Sequence, residues 1–170
     1  HSHVAAVAPG SGRRGIGMAL KLHQRAWARD RGLRYVTWTF DPLVARNAAF
    51  NLERLGTTVD AYLEDFYGQM PDAINAGAAS DRLLARWDVT APLRTPSARS
   101  RRTDLPSARP TAEAEPALSV SRASALLEAG PDGTPVRRDP SSGPVTVAVP
   151  PDIEDLRRRD PDLAARWRSA

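Results

Sequence analysis

The chain has 170 residues, of which 24 are Lys or Arg and 20 are Asp or Glu, giving a formal net charge of +4. This length can hold one domain, or a domain and an appendage, with enough apolar residues to bury a core. The absence of cysteine excludes disulfides and a thiolate nucleophile. No apolar run approaches the ~18 residues of a membrane span and no signal peptide is visible, so we expect a cytoplasmic protein without membrane contact.

The charged residues are distributed without a recognisable binding pattern. Lys21 is the only lysine, so the positive charge is almost entirely arginine. No basic stripe with interleaved aromatic residues occurs, and we therefore do not expect nucleic-acid binding. No cluster has metal-ligand spacing, so no metal is expected either.

The most informative stretch is VAAVAPGSGRRGIGMALKLHQRAW, residues 4–27. Its pattern predicts a strand at Val4 to Ala8, a stop at Pro9, a glycine-rich turn and a helix start. The first N–H groups of a helix form an anion site, to which Arg13 and Arg14 could add charge-assisted contacts. A phosphate or diphosphate is the natural ligand of such a turn.

Three nucleotide-binding interpretations compete for this turn. A P-loop is excluded, because Ile16 and Gly17 follow Gly15 where Lys and Ser or Thr are required. The dinucleotide fingerprint G-x-G-x-x-G is met by Gly10, Gly12 and Gly15, and Asp41 follows the next strand where a ribose-binding acid is sought. A nicotinamide-dinucleotide-binding oxidoreductase therefore remains an alternative.

In the third interpretation, the turn resembles the acyl-CoA-binding motif of the GNAT superfamily of N-acetyltransferases, V-x-P, Arg or Gln, x, x, Gly, x, Gly or Ala. Val7-Ala8-Pro9 and Gly15-Ile16-Gly17 match this motif, whereas Gly12 occupies the Arg or Gln position and Arg13 comes one residue late. LRYVTWTFDPLVARNAAFNLERLG resembles the fifth strand and next helix of that fold. VPPDIEDLRRRDPDLAARWR resembles an extension found in a bacterial subgroup of the family.

The predicted architecture is α/β (α+β), a partial GNAT fold. It comprises strand, helix, strand and helix with parallel strands, then an antiparallel hairpin, a disordered linker and a small helical tail. We expect an acyl-CoA-binding domain at 1–90, a Pro-, Arg- and Ser-rich linker at 91–116 and an extension at 117–170 with a short strand and helices. Because the chain opens inside what resembles the fourth GNAT strand and ends abruptly, we expect it to be a fragment.

The individual helices and strands are predicted from hydrophobic periodicity and from the residues that start and end helices. We expect a helix at 15–31 with an apolar stripe facing the sheet (Ile16, Leu20, His23 and Trp27), His23 being a core residue. We also expect strands at 35–40, 57–63, 81–89 and 145–149, and helices at 44–55, 117–129 and 151–168. The last helix should be capped by Asp152, broken at Asp160-Pro161 and anchored by Trp167.

The resemblance implies acyl transfer from acetyl-CoA to an amine whose identity the sequence does not give. It implies that the strand backbone at Ala5 and Val7 pairs with the pantetheine arm. The cofactor-binding candidates are Ala5, Val7, Gly12, Arg13, Arg14, Gly15, Ile16, Gly17 and Asn47.

The catalytic groups are less defined. The tyrosine that protonates the leaving thiolate in many relatives falls at Leu52, so Tyr62, Tyr67 or water would replace it. His3 is a candidate base, because the ordinary pKa of histidine suits the deprotonation of an ammonium group. A non-catalytic module that binds CoA and a protein partner is a third possibility.

Overall fold

The computed structural model describes residues 1–2, 15–68, 80–93, 123–139 and 142–170 of the chain. These residues form a mixed α/β arrangement with two three-stranded sheets and four α-helices, and they divide into two compact units. The predicted strand Val4 to Ala8, its parallel pairing and most of the linker lie outside the described residues. The long loop between the predicted hairpin strands is also mostly outside them.

The described elements of the first unit lie within residues 1–90, the range for which an acyl-CoA-binding domain was predicted. They are α1 (Ile16–Asp30), β1 (Tyr35–Phe40), α2 (Ala45–Ala48), a π-helical segment (Ala49–Arg54), β2 (Thr58–Leu63) and β3 (Arg82–Asp88). Helix α1 ends where expected, because Gly32 takes a left-handed φ of 67° and its N–H bonds to the carbonyl of Arg29.

The sheet of this unit has the order β1-β3-β2, and all its pairs are antiparallel. The predicted antiparallel hairpin of β2 and β3 is confirmed, and β3 inserts between β2 and β1, with Thr37 opposite Arg86. Strand β1 therefore lies at the edge of the described sheet. At this edge the N–H of Ser2 donates to the carbonyl of Thr37 at 2.7 Å.

One face of this sheet forms the core of the first unit. Val36, Trp38 and Phe40 alternate along β1 toward the buried side, as the period-2 pattern predicted. They pack with Ala28, Leu55, Ala85, Trp87 and Val89. Tyr35, Thr37 and Thr39 lie on the opposite side, which we call the Thr39 face.

Helix α1 packs through a different face from the one predicted. Ile16, Leu20, His23 and Trp27 are exposed, so the predicted stripe and the core assignment of His23 are wrong. The buried residues are instead Lys21 and Ala28, with Met18 packed against the core. The Lys21 ammonium lies 3.4 Å from the centroid of the Trp38 ring, and the small side chain of Ala28 belongs to the same core.

The predicted second helix, residues 44–55, is wound in two ways. A short α-helical turn is followed by π winding, in which the N–H of Leu55 bonds to the carbonyl of Phe50. This winding turns Asn51 into the core, where it is 5% exposed and accepts a hydrogen bond from Trp38 Nε1 at 3.2 Å. The carbonyl of Asn51 accepts from both the N–H and the hydroxyl of Thr57.

The second unit contains β4 (Ser124–Ala129), β5 (Pro135–Arg137), β6 (Val145–Val147), α3 (Ile153–Arg159) and α4 (Pro161–Ser169). Strand β4 pairs antiparallel with β5 and parallel with β6. The cap at Asp152 and the break at Asp160-Pro161 are confirmed. The core of this unit is formed by Leu43, Val44, Leu127, Ile153, Ala164 and Trp167.

The predicted helix at 117–129 is wrong over its described part. Ser124–Ala129 is the central strand of the second sheet, and the tail is therefore not purely helical. Alanine and leucine favour helix, but hydrogen bonds to two neighbouring strands outweigh that intrinsic preference.

Candidate functional site

The N-terminus of α1 presents three main-chain N–H groups. Gly15 precedes the helix with a left-handed φ of 75°, its first turn contains no acid, and within the described residues no side chain caps it. The first intrahelical bond is donated by the N–H of Ala19 to the carbonyl of Gly15. The amides of Ile16, Gly17 and Met18 therefore precede the hydrogen-bond ladder, at the positive end of the helix dipole.

Two contacts and one short distance between α1 and other elements give the direction of α1 along the sheet. Near the helix C-terminus, Arg25 Nε donates to the carbonyl of Val89, which follows β3. In the middle, Lys21 Nζ lies 3.4 Å from the centroid of the Trp38 ring.

At the helix N-terminus, a Cβ placed on Gly17 would be 3.9 Å from Cζ of Phe50, which follows β1. Helix α1 thus runs antiparallel to β1, and its open amides lie at the end of the unit where β1 finishes.

The same end of β1 carries a pair of hydroxyl groups on the Thr39 face. Thr39 Oγ1 and Tyr67 Oη are 3.2 Å apart, and the Tyr67 residue is 46% exposed. Tyr62, the other tyrosine considered for thiolate protonation, is similarly exposed, but its hydroxyl donates to Asp81 Oδ2 at 2.7 Å. The hydroxyl of Tyr62 is thus bonded to a carboxylate, and that of Tyr67 adjoins another hydroxyl group.

The other predicted site residues have mixed outcomes. Ala5, Val7, Gly12, Arg13, Arg14 and His3 lie outside the described residues. Asn47 lies half-buried in α2, and its side chain forms no hydrogen bond with the residues that the structure describes. Leu52, at the position of the family's tyrosine, packs against the core of the first unit.

Two cationic residues of the first unit, Lys21 and Arg82, were not predicted as site residues from the sequence. Burial lowers the pKa of Lys21 from 10.5 to about 8, and its Nζ also donates to Gln24 Oε1 at 3.1 Å. Arg82 Cζ lies 5.1 Å from the centroid of the Tyr67 ring. No local motif marks either residue, because both contacts join elements that are distant in sequence.

Two features are absent from the described part of the chain. In these residues, no three His, Cys, Asp or Glu side chains are grouped so that they could hold a metal ion. Within the same ranges, no helix is both long and apolar enough to cross a membrane.

Comparison with known proteins adds one structural likeness. No protein-family model and no curated protein matches the chain. Among solved structures, the chain is similar to a protein from Desulfovibrio desulfuricans that is assigned to the GNAT family of acetyltransferases, with 27% identity and a TM-score of 0.39. The match covers 51% of this chain and 50% of that one, so the chain spans about half of its length.

Proposed function

We propose that the chain is an acyl-CoA-dependent N-acyltransferase of GNAT type that transfers an acetyl group from acetyl-CoA to an amine. The observation that carries this proposal is the N-terminus of α1, which has no acid in its first turn and no side-chain cap from the part of the chain that the structure describes. It comes directly after the stretch whose residues resemble the acyl-CoA-binding motif.

A diphosphate suits this helix start physically. The amides of Ile16 and Gly17 would donate to phosphate oxygens, and the helix dipole would favour their negative charge. The left-handed φ of Gly15 lets the backbone turn into the helix without a side chain standing over the amides. The predicted contributions of Gly12, Arg13 and Arg14 belong to the same proposal, as does the polar contact from Asn47.

The arrangement of β1 supports a route from this anion site to an acceptor. The open amides and the hydroxyls of Thr39 and Tyr67 lie at the same end of β1, and the edge of the described sheet runs beside them. In this proposal the pantetheine arm pairs as an added strand with the backbone of Ala5 and Val7. The thioester would then lie near the hydroxyl pair.

The proposed reaction is a direct attack by a neutral amine. The substrate ammonium first gives a proton to water or to a base such as His3. The nitrogen then bonds to the thioester carbonyl carbon, and a backbone N–H near Val7 would stabilise the resulting oxyanion. The C–S bond breaks, the nitrogen loses its second proton, and the thiolate takes up a proton from Tyr67 or water. The products are an N-acetylated amine and free coenzyme A.

The nicotinamide alternative has less support in the described fold. A dinucleotide-binding half requires a further parallel crossover after β1, but β2 and β3 form an antiparallel hairpin. Asp41, the candidate ribose-binding acid, is 8% exposed. A buried carboxylate is poorly placed to bind a ribose.

A matched pair of variants at Gly15 tests the anion site. Asp and Asn are nearly isosteric and both tolerate a left-handed φ, so Gly15→Asp and Gly15→Asn should fold alike. Only Gly15→Asp places a negative charge beside the proposed diphosphate. In calorimetric titrations with acetyl-CoA, we expect Gly15→Asp to bind about tenfold or more weakly than Gly15→Asn, which retains most of the parent affinity.

Two results would reject the proposal. One is a parent chain that does not bind acetyl-CoA, and the other is equal binding by the Asp and Asn variants. Tight binding of NADH in place of acetyl-CoA would favour the nicotinamide alternative. Binding of acetyl-CoA without turnover across a panel of amines would instead favour the non-catalytic CoA-binding module.

A further inference from the structure

The turn after β2 is held rigidly by its own hydrogen bonds. Asp65 adopts a left-handed φ of 41°, and its N–H donates to Asp81 Oδ1 at 2.9 Å. In return, Asp65 Oδ1 accepts from both the N–H and the hydroxyl of Ser80, each at 3.1 Å. These three hydrogen bonds join the turn to Ser80 and Asp81, just before β3, and thereby order it.

This rigid turn presents two aromatic rings at the surface. The N–H of Tyr67 donates to Ser80 Oγ at 2.8 Å, and that of Phe66 donates to the carbonyl of Ser80. The two rings meet edge to face with centroids 4.8 Å apart, and each residue is 46% exposed. Exposed aromatic groups on an ordered turn form a small apolar platform.

Arg82 lies beside this platform, and some of its guanidinium N–H groups have no acceptor among the described residues. Its Nη1 donates to the carbonyl of Asp81 at 2.8 Å, and its guanidinium stacks near the Tyr67 ring. Within the described ranges of the chain, Arg82 forms no ion pair, in contrast to Arg86, which pairs with Asp60 at 3.4 Å. A half-buried guanidinium held by one main-chain bond and one ring retains the planar fork that binds a carboxylate.

Arg82 and the hydroxyl pair lie beside the same aromatic ring. Thr39 lies opposite Leu84, so Arg82 is its diagonal neighbour across the antiparallel pair and lies on the same face of the sheet. The Arg82 guanidinium carbon is 5.1 Å from the centroid of the Tyr67 ring, and the hydroxyl of that ring is 3.2 Å from Thr39 Oγ1. A cation that can bind a carboxylate and two oxygens that can accept from an amino group therefore adjoin one ring.

We infer that Arg82, the Phe66–Tyr67 platform and the Thr39–Tyr67 hydroxyl pair form an acceptor subsite for an α-amino acid with an apolar or aromatic side chain. Arg82 binds the carboxylate, the two rings contact the side chain, and the hydroxyl oxygens of Thr39 and Tyr67 accept from the amino group. This inference rests on the proposed function, because it assigns the amine that receives the acyl group. Arg82 is accordingly a specificity-determining residue.

The test compares ligands that differ only in the carboxylate. Calorimetric titrations of the 170-residue chain use L-phenylalanine and L-phenylalaninamide, with and without saturating acetyl-CoA. We expect phenylalanine to bind at least about tenfold more tightly than its amide. In Arg82→Gln the ratio of the two affinities should fall to about one, while the affinity for acetyl-CoA stays at the parent value.

Arg86→Gln is the matched control, since Arg86 lies on the same face of the same strand but pairs with Asp60. It should keep the preference for the acid. The inference is overturned if the parent chain binds acid and amide equally, or if Arg82→Gln keeps the preference. Failure of acetyl-CoA binding would reject the proposed function separately, because the phenylalanine titrations do not depend on it.

Discussion

The ammonium group of Lys21 lies 3.4 Å from the centroid of the Trp38 ring, inside the core of the first unit. Burial lowers its pKa from 10.5 to about 8, and the Lys21 residue is only 6% exposed. The attraction of the ring offsets part of the cost of removing a charge from water. The chain therefore keeps its single ammonium side chain at a position that favours the neutral form.

Lys21→Met should change how stability depends on pH. The folded chain holds this proton less tightly than the unfolded chain, so protonated Lys21 lowers stability fully below pH 8. The penalty then fades as the pH rises toward 10.5. Between pH 8 and 10, urea unfolding should show the parent gaining stability relative to Lys21→Met, by at most about 3 kcal/mol. A difference that stays constant with pH would contradict this expectation.

Removing the side-chain acceptor of Asn51 should destabilise the first unit. Asn51→Leu leaves the N–H of Trp38 without its acceptor in the core, at an expected cost of about 1–3 kcal/mol. Trp38→Phe in the same background removes the orphaned donor. In a double-mutant cycle, the two changes together should cost less than the sum of the single changes. Strict additivity would show that this hydrogen bond contributes little.

Asp88 should make the stability of the first unit sensitive to acid. Hydrogen bonds from the hydroxyl and N–H of Thr90 lower its pKa to about 2, with smaller contributions from Arg34 and Ala91. Because the folded pKa lies below the ordinary value near 4, this stabilisation is present above pH 4 and disappears as the pH falls toward 2. Asp88→Asn should flatten the acid-unfolding curve over that range, measured by circular dichroism. An acid-unfolding curve of Asp88→Asn that matches the curve of the parent would contradict this expectation.

Trp167 should be the principal anchor of the second unit. Its residue is 4% exposed, and its Nε1 donates to the carbonyl of Gly133 at 2.9 Å. Trp167→Ala should cost about 3–5 kcal/mol, enough to unfold a small unit. Trp167→Phe keeps most of the ring volume and should cost less. Hydrogen exchange in β4 and α3 provides the measurement, and equal protection in the parent and Trp167→Ala would refute the assignment.

Sequence patterns predicted the order of elements in the first unit well, because turns and helix ends are marked locally. Gly15 and Gly32 bracket α1, and the alternation around Trp38 marks β1 and its buried side. The buried face of α1 could not be predicted in the same way. Hydrophobic periodicity predicted that Leu20 and Trp27 would be buried. The buried residue is instead Lys21, which contacts Trp38 on β1.

The remaining failures have the same origin. Strand β4 depends on pairing with β5 and β6, which composition around Leu126 and Leu127 does not reveal. The position of Arg82 beside Tyr67 depends on the bonds that join Asp65 to Ser80 and Asp81. Local sequence therefore predicted the start of α1, where the anion site is proposed, whereas the proposed acceptor subsite became visible only from contacts across the sheet.

The solitary lysine also gives the chain an internal reporter. Amine-reactive esters can modify only Lys21 and the α-amino group, and a peptide-level mass measurement separates the two products. Since the ε-amino group is buried between α1 and Trp38, its labelling rate would measure how often α1 separates from the sheet by local opening. A ligand that bridges the start of α1 and the end of β1 should slow this labelling.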